Sequence, residues 1–337
     1  MKVKVGLIGA GKMGISHLAI LGAHPEVQVV GVCDTSKMTI DALEKYSPFP
    51  CFTDYKKMLS QAKPDAVVIA VPTKFHAAMV QEMLSLGVHV FVEKPFCLNP
   101  AESVELIRMA KDKKLVNQVG YHNKFIGTFS EVKKLLDGGF IGDLYHFHGQ
   151  AYGPVVIKAK QETWRSNPEE GGGCLMDYAS HVIDLINYLL SPVQSVQSSL
   201  LPSIFSKQVE DAVYAMMQLN NGMAGMLSVN WSDETHRKMT TSVTISGKKG
   251  KIISDANELK VFLKDPLCPE GYSKGWNVKY VTDLTPSVDY YLRGEEYSAQ
   301  MDYFIASIQG KVPGGINSFE SAAQTDHAIA LIRQAQH

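Results

Sequence analysis

Three side chains in this sequence have the types and surroundings that proton and charge transfer require: Lys94, Asp177 and His181. Lys94 closes the segment Val90-Phe91-Val92-Glu93-Lys94-Pro95, where an apolar run of the kind a buried strand uses gives way to two charges and a stiffening proline. Burying a lysine is costly, so an ammonium group at a strand end suggests a chemical role, in which it donates to a substrate hydroxyl and stabilises the alkoxide as the proton leaves. The same spacing also suits a surface lysine paired with Glu93. Asp177 and His181 belong to Gly171-Gly172-Gly173-Cys174-Leu175-Met176-Asp177-Tyr178-Ala179-Ser180-His181-Val182-Ile183-Asp184. On a helix, Asp177, His181, Asp184 and Tyr188 share one stripe, and Val182, Leu185, Ile186 and Leu189 form a separate apolar one. The pattern predicts one face packed and the other free for chemistry. An imidazole titrates near neutrality, so His181 suits a general base that takes a hydroxyl proton. Asp177, one turn earlier, suits orienting that ring, raising its basicity or binding another hydroxyl. An ordinary amphipathic helix with an exposed Asp and His fits the same pattern.

These residues need a scaffold, and the first third of the chain supplies an alternating one. Candidate strands are Val3–Ile8, Val27–Cys33, Cys51–Thr53, Ala66–Val71, Val88–Val92 and Val116–Gly120. Helical patterns lie between them near Met13–Gly22, Thr39–Tyr46, Tyr55–Gln61, Ala77–Leu86 and Pro100–Lys113, the last with Asn99 as N-cap and Pro100 at its first position. Such alternation implies a doubly wound parallel sheet whose ligand lies beyond the carboxyl ends of the strands. Gly9, Asp34, Pro72-Thr73, Glu93-Lys94 and Tyr121 stand at those ends. Gly9-Ala10-Gly11-Lys12-Met13-Gly14, between the first strand and helix, has the spacing of a dinucleotide fingerprint: a tight turn, a close approach to diphosphate, and close helix–strand packing. Asp34 ends the second strand, where a carboxylate accepts from both adenosine ribose hydroxyls; capping the next helix is its other reading. A 2′-phosphate there meets like charge, which favours NAD, with Lys37 the nearby cation that leaves NADP use open.

From about Asp143 the segments become longer and alternate: Leu144–Ala151, Val193–Leu201, Ala212–Leu219, Met223–Trp231, Met239–Ser246 and Leu259–Leu263. An antiparallel sheet is implied, with turns at Asn220-Asn221-Gly222 and Gly247-Lys248-Lys249-Gly250. Asp265–Asp289 has little periodicity and reads as an extended loop; helices follow near Ser298–Gln309 and Ser318–Gln334. The expected fold class is α/β: an N-terminal Rossmann domain over 1–122, then an α+β domain over 123–337 with an open, mostly antiparallel sheet. At 337 residues and 45% hydrophobic content, two domains are the natural division. Thirty-three basic residues against thirty-four acidic ones, without long runs of one sign, point to a small-molecule partner rather than nucleic acid or an anionic membrane. No apolar stretch approaches the ~18 residues of a membrane span, and no leader pattern opens the chain, so a cytoplasmic protein is expected. Five scattered cysteines without C-x-x-C spacing argue for a reducing compartment and against a structural zinc site. His146 and His148 share one strand face without obvious partners, and no metal is expected.

The glycine run, Ala70-Val71-Pro72-Thr73-Lys74-Phe75-His76, Val92-Glu93-Lys94-Pro95, Gly120-Tyr121-His122-Asn123-Lys124-Phe125 and the Gly171–Asp184 segment, in this order, resemble the glucose-fructose oxidoreductase, inositol dehydrogenase and rhizopine catabolism (Gfo/Idh/MocA) family. The resemblance spans most of residues 1 to 190. It implies an NAD(P)-dependent dehydrogenase that oxidises a secondary hydroxyl of a sugar, polyol or nucleotide-linked sugar and forms dimers or tetramers through the open sheet. It implies a catalytic set of Lys94, Asp177 and His181, with Lys94 also touching the nicotinamide. Implied cofactor contacts are Gly9, Gly11, Lys12, Met13, Gly14, Asp34, Val71, Thr73, His76, Glu93, Lys94 and the Trp164-Arg165 pair; implied substrate contacts are Lys94, Tyr121, Asn123, Asp177 and His181. Lys124 stands where many members carry arginine before the phenylalanine. Two other classes share such a site: glycoside hydrolysis through transient oxidation, and a non-catalytic sensor of nucleotide state.

Overall fold

Strand β1 (Val3–Ile8) is almost entirely buried, and the chain then turns through Gly9 into helix α1 (Lys12–Ala23). The computed structural model describes residues 1–155 and 164–336. Strands β2 (Val27–Cys33), β3 (Cys51–Phe52), β4 (Ala66–Ile69), β5 (His89–Val92) and β6 (Asn117–Val119) join β1 in one six-stranded sheet of order β3-β2-β1-β4-β5-β6. Every pairing in it is parallel. Helices α2 (Lys37–Tyr46), α3 (Tyr55–Ala62), α4 (His76–Ser85) and α5 (Pro100–Asp112) alternate with the strands. The Asn99 side chain caps α5 and Glu102 returns the bond in a full capping box, while Lys113 follows as C-cap.

The second sheet has eight strands: β7 (Leu144–Tyr152), β8 (Val193–Leu200), β9 (Ala212–Leu219), β10 (Ala224–Asn230), β11 (Thr240–Gly247), β12 (Gly250–Asp255), β13 (Glu258–Leu263) and β14 (Gly275–Tyr280). Their order is β14-β13-β12-β11-β7-β10-β9-β8, antiparallel throughout except for the parallel β7/β10 pair. Gly222, at φ +83°, closes the β9–β10 hairpin where the sequence calls for a positive-φ residue. The longer helices of the rest of the chain are α6 (Gly127–Asp137), α7 (Ser180–Leu189), α8 (Glu295–Ile308) and α9 (Phe319–Gln334). Among the described residues no helix is long and apolar enough to cross a membrane.

Two expectations are corrected. The stretch Asp265–Asp289 is not all loop: β14 pairs antiparallel with β13, followed by a helical turn at Val281–Leu284. Its alternation is masked because Asn277 and Lys279 occupy the inward positions; the Asn277 amide donates to the carbonyls of Ser273 (2.7 Å) and Val261 (3.3 Å) instead of packing as an apolar residue. The span 123–337 is also not one body. One compact unit comprises Met1–His122 with Ser287–Ala323, the other Asn123–Pro286 with Gln324–His337. The reason is apolar burial: Met301, Phe304 and Ile305 of α8 join Val5, Leu7, Leu21 and Phe91 in a core on one face of the parallel sheet. Phe319 stacks on Phe96 at 4.4 Å on the other face. Each such side chain contributes roughly 1.5–3 kcal/mol on burial, which offsets the entropy of bringing the chain back.

Candidate functional site

In the first unit, the β1–α1 turn is built from glycines for two different reasons. A β-carbon on Gly9 (φ +94°) would come within 2.4 Å of the Ala70 carbonyl oxygen, and one on Gly14 within 1.9 Å of the Gly9 carbonyl oxygen. Backbone packing excludes any side chain at both. A β-carbon on Gly11 would meet nothing within 4 Å. Gly11 is also the N-cap of α1 and no side chain caps this end, so the first-turn N–H groups at Lys12, Met13 and Gly14 have no capping side chain. Room above the second glycine and an uncapped helix start are what a dinucleotide diphosphate requires, so the residues present fit that group. Val71 packs beside Gly9, with Thr73 buried in the short turn that follows.

Asp34 is held rather than loose: Ala10 N–H donates to its Oδ2 at 2.7 Å and Ser36 N–H to its Oδ1 at 2.8 Å. It does not cap α2, because Ser36 does so through Thr39 N–H. Each carboxylate oxygen keeps lone-pair capacity for one ribose hydroxyl. Replacing Asp34 with Ser is expected to lower the NAD/NADP ratio of kcat/KM by about tenfold or more, since the repulsion of a 2′-phosphate disappears together with the ribose acceptor. An unchanged ratio would refute the assignment.

Glu93 and Lys94 diverge. The Glu93 carboxylate is buried, with Oε1 at 2.6 Å from His17 Nε2, and Oε2 accepts from Lys94 N–H at 3.2 Å. Burial pushes this carboxyl up, but His17 and Lys94 outweigh it and hold it below its ordinary value. A β-carbon on Gly120 would sit 3.0 Å from Oε2, so the neighbouring strand must be bare there. Glu93, expected among the cofactor contacts, thus ties α1 to the end of β5, while Lys94 stands half-buried just beyond. His76 is likewise an internal tie: its Nδ1 lies 2.9 Å from the Pro95 carbonyl and its Nε2 2.9 Å from the Val71 carbonyl. Burial lowers its pKa despite both contacts, and the ring links the loops after β4 and β5. Tyr121, expected at the substrate, is fully buried in the unit's core, where a phenol packs better than it would in water.

In the second unit, three glycines precede the helix that carries Asp177 and His181. Gly171 and Gly173 have φ of +86° and +104°, and a β-carbon on Gly172 would lie 2.4 Å from the Arg165 carbonyl oxygen. Glu210, from a distant part of the chain, receives Leu175 N–H on Oε1 at 2.8 Å and Cys174 N–H on its carbonyl at 3.0 Å. The chain then makes a π-helical turn, Leu175–Ala179, before continuing as α7. Such bulges are rare, and they concentrate at functional sites. Asp177 lies inside the π-turn and accepts from Arg165 Nε at 2.8 Å; the guanidinium in turn lies 4.6 Å from the Trp164 ring centroid. His181 follows on α7 and is buried.

The expected free stripe is corrected here. Every residue from Leu175 to Asn187 is buried, and Asp184 forms an ion pair with Lys124 Nζ at 2.8 Å, each side chain about 1% exposed. Tyr188 lies beneath the Lys124 and Lys133 ammonium groups. A helix covered on all sides uses its polar stripe in two ways: Asp177 and His181 at its start, Asp184 and Tyr188 as internal structure. Asn123 is 3% exposed and its Nδ2 finds no hydrogen-bond partner among the described residues. Sequence reasoning missed Arg165 as the partner of Asp177 and Glu210 as the brace of the helix start. Among the described residues no group of three or more His, Cys, Asp and Glu side chains could hold a metal.

Residues 3–121 match the family described as "Oxidoreductase family, NAD-binding Rossmann fold", and residues 129–253 match the "GFO/IDH/MocA C-terminal domain". The chain belongs to the Gfo/Idh/MocA family. As a member it is an NAD-dependent oxidoreductase, with NAD as its cofactor. Inositol 2-dehydrogenase of Rhizobium meliloti is 23% identical over 99% of this chain and 98% of its own length. D-glucoside 3-dehydrogenase of Escherichia coli is 24% identical over 73% and 75%. Among solved structures, levoglucosan dehydrogenase in complex with NADH superposes with a TM-score of 0.88 at 21% identity, covering 99% of this chain and 97% of that one. The WlbA dehydrogenase from Bordetella pertussis in complex with NADH and UDP-GlcNAcA gives 0.86 at 22%, covering 99% and 95%.

Proposed function

We propose that this family member oxidises a secondary ring hydroxyl of a sugar, polyol or nucleotide-linked sugar, with Lys94, Asp177 and His181 as the acting side chains. NAD, when bound, supplies the hydride acceptor. Gly9, Gly11 and the amides of Lys12, Met13 and Gly14 hold its diphosphate, and Asp34 its adenosine ribose. Lys94 Nζ donates to the substrate hydroxyl oxygen and, as a cation, favours the deprotonated form. His181 takes the hydroxyl proton and returns it in the reverse direction. Asp177, fixed by Arg165, orients a second hydroxyl or the imidazole, and Asn123 Nδ2 offers one further donor. The observation that carries this reading is a π-turn carboxylate four residues before a buried histidine, the carboxylate held by Arg165 and the start of the turn by Glu210. The names of the relatives, an inositol, a D-glucoside and a levoglucosan dehydrogenase, support a ring hydroxyl as the target.

The same reading includes self-association through the open face of the eight-stranded sheet, where exposed Tyr214, Met216 and Met226 neighbour one another across β9 and β10. All five cysteines are free, which suits a reducing cytoplasm. The decisive experiment is a panel of cyclitols, aldoses, uronates and nucleotide sugars incubated with NAD and the protein. Stoichiometric NADH from one class is the expected result. Release of free sugar from a glycoside without net NADH, or no turnover across the panel, would overturn the proposal.

A further inference from the structure

We infer that Arg293 is an anion-recognition residue, so that the sugar oxidised by this protein carries a carboxylate or phosphate group. The inference rests on the dehydrogenase reading above, because it takes the neighbourhood of Lys94 as the place where the sugar binds. Strands β5 and β6 are adjacent and parallel, so Lys94, following β5, and His122, following β6, leave the sheet at the same end. The His122 ring stacks on Tyr297 of α8, with centroids 4.6 Å apart and planes 23° from parallel. The Arg293 guanidinium lies 5.4 Å from the same Tyr297 centroid. A row of Arg293, Tyr297 and His122 therefore ends beside the strand that delivers Lys94.

Several observations separate Arg293 from an ordinary surface arginine. Its backbone is left-handed (φ +67°), a conformation its β-carbon disfavours, and backbone strain of this kind gathers at functional sites. Arg293 is exposed and its guanidinium meets the Tyr297 side chain, while among the described residues no ion pair with a carboxylate is formed by it. Of the carboxylates around Tyr297, Glu93 is held by His17, and Glu296 lies against Gly294 at the start of α8. Burial, and then the charges of Lys94, Arg293 and His17 against that of Glu93, push His122 down to about 4, so the ring between the cations is neutral at physiological pH. The positive charge of this patch is that of Lys94 and Arg293. Lys94 is committed to the reacting hydroxyl. Arg293 offers a planar fork, restrained by the aromatic ring beneath it, which matches the two oxygens of a carboxylate or phosphate.

The test compares D-glucose, D-glucuronate and D-glucose 6-phosphate as probes of the full-length, NAD-loaded protein, by turnover and by calorimetric binding. Wild type is expected to favour one of the anionic probes, and the preferred one identifies whether carboxylate or phosphate is read. Arg293→Gln should lower kcat/KM, or affinity, for that probe by about 30- to 100-fold while changing D-glucose less than about threefold. Arg293→Lys should fall between the two, since it keeps charge and loses the fork. Equal handling of charged and neutral probes by wild type, or an equal loss for both in Arg293→Gln, overturns the inference and leaves the dehydrogenase reading standing. Selective binding of an anionic probe without NADH formation from any sugar supports the anion site and rejects the dehydrogenase reading.

Discussion

Replacing His181 with Ala is expected to lower kcat by about 10²–10⁴-fold, the range a positioned general base contributes, while leaving NAD affinity within about twofold. The split follows from where the groups sit. The glycine turn and Asp34, the proposed nucleotide contacts, belong to the unit of Met1–His122 and Ser287–Ala323, whereas His181 lies on α7 of the other unit. Under the proposed roles, losing the imidazole removes the proton acceptor and leaves the glycine turn and Asp34 unchanged. Two measurements check this: steady-state NADH formation and fluorescence titration of NADH. Partial rescue of turnover by added free imidazole would show that a base, rather than packing around α7, was lost. Turnover near that of wild type would end the assignment of His181, and a parallel collapse of NADH affinity would point to a structural role.

The second large effect concerns stability. Lys124→Met is expected to destabilise the unit that contains it by about 3–5 kcal/mol, because Asp184 is left as a buried carboxylate without its cation. The double variant Lys124→Met with Asp184→Leu should return to within about 1 kcal/mol of wild type, since a packed apolar pair replaces two desolvated charges. All three tryptophans, Trp164, Trp231 and Trp276, lie in this same unit, so their fluorescence during urea unfolding reads the relevant transition. A pH arm sharpens the test. Burial pushes the Asp184 carboxyl up to about 6, against the opposing pull of Lys124, from an ordinary value of 3.8. The folded chain therefore binds this proton more tightly than the unfolded chain, and the group's contribution to stability is greatest below about pH 4 and is lost as pH rises through about 6. Asp184→Asn removes that component. A difference in unfolding free energy between wild type and Asp184→Asn that stays flat from pH 4 to 7 would contradict the assignment.

Parts of this molecule with local causes are legible in the sequence. Gly9, Gly11 and Gly14 announce the tight β1–α1 turn because their spacing reflects contacts within one strand–turn–helix unit. Asn99 announces α5 because a cap acts on amides two and three residues away. Asp34 is legible by position, although its two backbone donors are not. Parts with distant causes escape. Asp177 finds Arg165 twelve positions away across the glycine stretch, and Asp184 finds Lys124 across sixty. Periodicity places Asp177, His181, Asp184 and Tyr188 on one stripe but says nothing of what covers that stripe, so an internal ion pair reads as an open face. The π-turn is equally silent, since it inserts no unusual residue type. Helix α6 starts at Gly127 without a capping side chain and so lacks the local signal that α5 displays.

The return of Ser287–Ala323 to the parallel sheet also sets the order of events during synthesis. When His122 leaves the ribosome, all six strands of that sheet exist, yet the apolar surface that Met301, Phe304, Ile305 and Phe319 will cover is still bare. The nucleotide-binding half thus cannot mature on its first 122 residues alone, and it must wait with exposed strands until Ser287–Ala323 has been made. A nascent chain of this design depends on keeping that surface from sticking to its neighbours, and holdase chaperones are the cellular means of doing so.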